Sequence, residues 1–107
     1  MRRTIGVFVV LAVVVEAAWS GDANADAQRG QLLSEQSCSQ CHGVGPAQPS
    51  PNLKAPAFSA IAAERSATDY SLHVFLRTPH FSMPNFVLKP DDVDDIVSYI
   101  ASLKSHR

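Results

Sequence analysis

Cys38-Ser39-Gln40-Cys41-His42 is the stretch that decides how the rest of this chain is read. Thiols three residues apart project from one face of a helical turn and can bond the two vinyl groups of a single porphyrin. The imidazole that follows them directly can sit beneath the ring and offer a nitrogen to its iron. That is the spacing of a c-type haem attachment site. Two other readings compete for the same residues. A Cys-x-x-Cys redox pair of the thioredoxin kind needs a βαβ setting. A structural zinc site needs four ligands, and Cys38 and Cys41 are the only cysteines in the chain.

The residues in front of this motif bear on the choice. The chain has 107 residues, room for one small domain, and its hydrophobic 46% is unevenly spread. Arg2 and Arg3 precede the apolar run Ile5 to Val15, and small residues follow it. A basic start, a short apolar run and small residues make a secretory signal. The run falls well short of the roughly 20 apolar residues of a spanning helix, so no membrane span is expected in the mature protein. Two exits fit the small-x-small rule, Ala18-Trp19-Ser20 and Ala23-Asn24-Ala25. The second is preferred, giving a signal over 1–25 and a domain over 26–107, because Asp26 then opens a plausible helix. Export predicts a periplasmic protein.

A formal net charge of −1 gives no reason to expect nucleic acid or an anionic membrane as a partner. No glycine-rich phosphate loop and no internal repeat appear. A domain of about 80 residues buries little apolar surface and usually needs a staple. One disulfide between Cys38 and Cys41 would close a trivial loop, so something else must supplement this core.

Helices account for most of the remaining pattern. Residues 26–37 start with a good N-cap, although Gly30 costs such a helix about 1 kcal/mol relative to alanine and invites a packing explanation. Residues 43–57 hold two glycines and four prolines and read as loop. Phe58 to Glu64 forms a short helix with Phe58 and Ile61 inward. Thr68 caps another, with Tyr70, Leu72, Phe75 and Leu76 as its apolar members, and Pro79 stops it. The clearest helix is 90–104. Pro90 suits its first position, Asp91 and Asp92 complement its positive end, and Val93, Ile96, Val97 and Ile100 repeat at i, i+3, i+4, i+7. No strand alternation is convincing. The chain is all-α, with loops long enough to wrap something.

Once the signal is removed, Met83 is the sole methionine, and Pro84 biases it to an extended backbone suited to pointing into a pocket. It is the candidate for the second axial position of a haem iron. A lone methionine more often fills core space. His73, within a helix, and His80, beside Pro79, are the competing ligands, and His106 lies in the tail.

Cys38-x-x-Cys41-His42, then Pro51-Asn52-Leu53, then Met83-Pro84 and the closing Asp95-Ile96-Val97-Ser98-Tyr99-Ile100 together resemble a small bacterial class I cytochrome c over essentially all of residues 26–104. The resemblance implies three to five helices wrapped around one covalently bound haem c. It implies thioether bonds from Cys38 and Cys41 and axial ligands His42 and Met83. In that family the first and last helices cross where a glycine faces an aromatic, and Gly30 and Tyr99 match. The family's proline after the haem site turns its carbonyl to the axial histidine, and Pro51 matches best, with Pro46 and Pro49 close by. Two departures stand out. Ser34 replaces an aromatic that many relatives carry, and Phe75 stands where some relatives place a tyrosine hydroxyl against the methionine sulfur, so that hydrogen bond should be absent. Arg65 is a candidate for a haem propionate, although an exposed structural charge is the blander reading.

A haem with protein ligands on both faces has no vacant coordination site, so the expectation is outer-sphere transfer of one electron and no enzyme activity. A thioether opposite an imidazole favours the ferrous state and raises the potential. The alternative is a peroxidase-like or ligand-binding haem protein with a displaceable Met83. A disulfide oxidoreductase without haem is a third. The partners implied are redox proteins that dock weakly and transiently. Only Lys54, Lys89 and Lys104 remain after processing, and Asp91, Asp92, Asp94 and Asp95 read either as an acidic patch or simply as a helix-dipole and solubility device.

Overall fold

The computed structural model describes residues 23–106 apart from Phe81 and Asn85, so residues 1–22 of the expected signal lie outside it. Among the described residues there are four α-helices and a closing 3₁₀ turn, and no strand. They are α1 (Ala23–Ser37), α2 (Phe58–Ala63), α3 (Asp69–Arg77) and α4 (Pro90–Ser102), with the turn at Leu103–His106. The all-α expectation holds. Helix α1 begins a little earlier than the expected start at Asp26.

Helix α4 is the spine of the core. Pro90 occupies its first turn with Asp91 and Asp92, as the sequence predicts. Val93, Ile96, Val97 and Ile100 are all buried, and Leu103 extends the stripe into the 3₁₀ turn. Each such side chain contributes about 1.5–3 kcal/mol when removed from water. Phe58, Ala62 and Val44 close over this stripe, and Leu72 and Leu76 of α3 pack on its flank. Tyr70, by contrast, is exposed.

The most extensive helix pair is α1 with α4, and Gly30 makes that closeness possible. A Cβ built on Gly30 would fall inside the Asp95 carbonyl and 2.9 Å from Tyr99 Cβ. The Gly30–Tyr99 crossing is therefore real. Ser34, one turn on, is fully buried and returns its hydroxyl to the Gly30 carbonyl at 2.7 Å. A small side chain here keeps the two backbones near each other, which an aromatic could not do at this spacing. Tyr99 crosses the core and donates its hydroxyl to the Val44 carbonyl.

The acidic cluster of α4 is more than a dipole and solubility device. The Arg29 guanidinium of α1 donates to Asp92 at 2.7 Å and also to the buried carboxylate of Asp95. Asp94 accepts from His73 of α3 at 2.8 Å, while the other ring nitrogen of His73 reaches the Asp69 carbonyl at 2.7 Å. Three of the four aspartates thus tie α4 to its neighbours.

Helix α3 starts where expected, with Thr68 accepting from the Ser71 amide at 3.1 Å. The loop between α1 and α2 is fixed by two backbone bonds, Asn52 N–H to the Cys41 carbonyl at 3.2 Å and Phe58 N–H to the Gly43 carbonyl at 2.8 Å. Those two bonds decide which loop residues face the attachment motif.

Candidate functional site

Cys38 continues the helical pattern beyond α1, its amide donating to the Ser34 carbonyl at 2.8 Å. The Cys41 and His42 amides then both donate to the Cys38 carbonyl, at 3.2 and 2.9 Å. This single tight turn puts both thiols, half-buried, on the wall of one cleft. The cleft measures about 610 Å³, within the usual range for small-molecule and cofactor sites. Ile61, Ala67, Leu72 and Phe75 line it from α2, α3 and the bend between them. Met83 lines it from the segment before α4. Burial pushes the Cys38 thiol above its ordinary value. A reactive redox cysteine needs the opposite shift, towards thiolate, so the disulfide oxidoreductase reading loses support.

His42 is held by a carbonyl, but not the expected one. Its Nδ1 lies 2.6 Å from the Pro56 carbonyl oxygen. A carbonyl only accepts, so Nδ1 carries the proton and Nε2 is left as a metal-binding lone pair. Pro51 does not play this part. Pro51 and Leu53 flank Asn52 in a turn in which the Lys54 amide donates to the Asn52 side chain at 3.0 Å and the Ala55 amide to the Asn52 carbonyl at 3.0 Å. Pro51 is exposed and Leu53 is 97% exposed, and neither lines the cleft. Pro56 comes to the imidazole because Phe58, two residues on, is pinned to Gly43. The Phe58 ring packs on His42 with centroids 5.4 Å apart.

Met83 is presented by a strained turn. Ser82 has φ 73°, a left-handed conformation that costs a non-glycine residue about 1–2 kcal/mol. Such strain persists only where surrounding structure fixes it, often at functional sites. As expected, Phe75 brings no hydroxyl to the sulfur. A different neighbour does approach it. His80 Nε2 stands 3.0 Å from Met83 Sδ, its ring stacked on Phe75 with centroids 3.7 Å apart. Sequence reasoning weighed His80 only as a rival to Met83 and missed that the two are neighbours. Their three-residue spacing around a turn was the available signal.

The other candidates fall away from the cleft. Arg65 is exposed and does not line it, so the propionate role finds no support. His73 is engaged with Asp69 and Asp94, and the His106 side chain lies outside the described residues. Among the described residues, no three His, Cys, Asp or Glu side chains gather as a zinc site would require. Two thiols, an imidazole nitrogen without its proton and a thioether sulfur around one apolar cleft suit a single iron porphyrin in number and kind.

Comparison with curated proteins and with solved structures returned no match. The family profile described as cytochrome c matches residues 27–104, from α1 through α4, and this chain belongs to the cytochrome c family.

Proposed function

We propose that this chain is a soluble periplasmic one-electron carrier, working by outer-sphere transfer with His42 and Met83 as axial ligands and Cys38 and Cys41 as the thioether attachments. Cytochromes c carry covalently attached haem c and serve in electron transport, and the chain has the attachment motif of that family. The iron of that haem, when bound, supplies the one-electron couple.

The observation that carries the finer reading is the shared cleft, onto which Cys38, Cys41, His42 and Met83 all open. Pro56 fixes the tautomer of His42 and strengthens it as a donor. Pro84 and the turn at Ser82 present the Met83 side chain. Phe58, Ile61, Leu72 and Phe86 line a smaller apolar cavity that shares Cys38, His42 and Met83 with the cleft. Apolar packing disfavours added charge and acts, like the thioether, to raise the potential. A small domain that builds its core partly around a cofactor couples folding to holoprotein formation.

Export rests on the amino-terminal signal pattern, and among the described residues no helix is long and apolar enough to cross a membrane. Partners are redox proteins that meet the chain briefly. Its few lysines and the tied-down aspartates leave only modest electrostatic steering.

The test is the visible spectrum of the oxidised holoprotein. An iron–methionine charge-transfer band, unaltered by modest cyanide, is expected. A missing band with ready cyanide binding would favour the peroxidase-like alternative instead.

A further inference from the structure

His80 belongs to the site in a way that the axial pair does not use. Its Nδ1 donates to the Thr78 carbonyl oxygen at 2.9 Å. The ring turns its other nitrogen, Nε2, to Met83 Sδ across 3.0 Å. An imidazole nitrogen and a thioether sulfur side by side are two metal donors, and both residues line the cleft that Cys38, Cys41 and His42 line. Stacking on Phe75 holds the ring in this orientation. The backbone bond that fixes the tautomer has the same form as the Pro56 bond that fixes His42.

Resting on the axial reading above, we propose that His80 is a stand-by axial ligand: whenever the Met83 sulfur is lost, the His80 Nε2 takes its place opposite His42. The site then passes from imidazole–thioether to bis-imidazole ligation without opening. Replacing the thioether by a second imidazole lowers the potential, so loss of Met83 changes the carrier's driving force and does not turn it into a ligand-binding protein.

The experiment compares four ferric holoproteins by electron paramagnetic resonance and cyanide titration: the wild type, Met83→Leu, His80→Phe and the double variant. Leucine keeps the volume of Met83, and phenylalanine keeps the stack on Phe75. Met83→Leu is expected to lose the iron–methionine band, remain low-spin with two nitrogen ligands, and show a lower reduction potential. The double variant is expected to become high-spin and to bind cyanide about tenfold or more tightly than Met83→Leu, because a ligand that occupies the position most of the time weakens apparent affinity by that fraction. His80→Phe alone keeps the methionine band.

A Met83→Leu protein that is already high-spin and as cyanide-avid as the double variant overturns this inference and leaves the axial reading intact. A double variant that stays low-spin also overturns it, since some other residue then fills the position. A Met83→Leu protein with the wild-type spectrum overturns both readings. Met83→Ala repeats the comparison should the leucine variant fail to accumulate.

Discussion

Replacing Gly30 by alanine sets two effects of opposite sign against each other. Helix propensity alone says that the change stabilises α1, by about 1 kcal/mol. The crossing with α4 says the reverse. The new Cβ would meet the Asp95 carbonyl, with Tyr99 Cβ only 2.9 Å away. The first obstacle is backbone, which cannot swing aside as the end of a long side chain can. Overpacking of a tight site costs about 1–3 kcal/mol, and rigid neighbours place this one at the upper end. The balance is a net loss of about 2 kcal/mol. For a domain of this size that lowers the melting temperature by roughly 8–16 °C. Separation of the helices also stretches the Arg29 pair with Asp95, which spans the same crossing. Denaturant titration of the holoprotein, followed by far-ultraviolet circular dichroism, measures the difference. A Gly30→Ala protein as stable as the wild type, or more so, would refute the close-approach explanation and leave propensity in charge.

The His73 clasp predicts a pH dependence. The Asp69 carbonyl and then the Asp94 carboxylate raise its affinity for a proton in the folded state. Its contribution is therefore complete below the unfolded value of about 6.5 and is lost as pH rises through the higher folded value. Denaturation midpoints should fall across that window in the wild type, and the difference should vanish in His73→Gln; an identical profile in the variant would dismiss the clasp. Tyr99→Phe strands the Val44 carbonyl in the core and should cost about 1–3 kcal/mol, read by the same titration. Pro56→Ala should loosen the bond to His42, weaken the imidazole as a donor and raise the reduction potential, while Pro51→Ala leaves it alone. Equal shifts from both prolines would contradict the geometry. Electron-transfer rates with partner proteins should depend only weakly on ionic strength, and a steep fall with added salt would contradict modest steering.

What the sequence made legible was whatever depends on local period and spacing. The stripe on α4, the cap at Thr68 and the attachment turn all follow from residues within a few positions of one another. The carbonyl partner of His42 was not legible, because residues 43–57 hold four prolines and any of them could curl back. The long-range bonds from Phe58 to Gly43 and from Asn52 to Cys41 select Pro56 and leave Pro51 and Leu53 outward. The pairing of Arg29 with Asp95 was hidden for the same reason, since a run of aspartates at a helix start already has a local explanation. His80 shows the limit most clearly. It is a stray histidine beside a proline until the left-handed turn at Ser82 folds Met83 against it.

Everything functional depends on a haem bonded to Cys38 and Cys41. Mass spectrometry of tryptic fragments, from protein purified out of a host able to attach haem, tests this most directly. The fragment from Gly30 to Lys54 contains both cysteines, and the account predicts that it carries the added mass of one haem after full denaturation. That fragment at its bare peptide mass, with both thiols unmodified, would contradict the account.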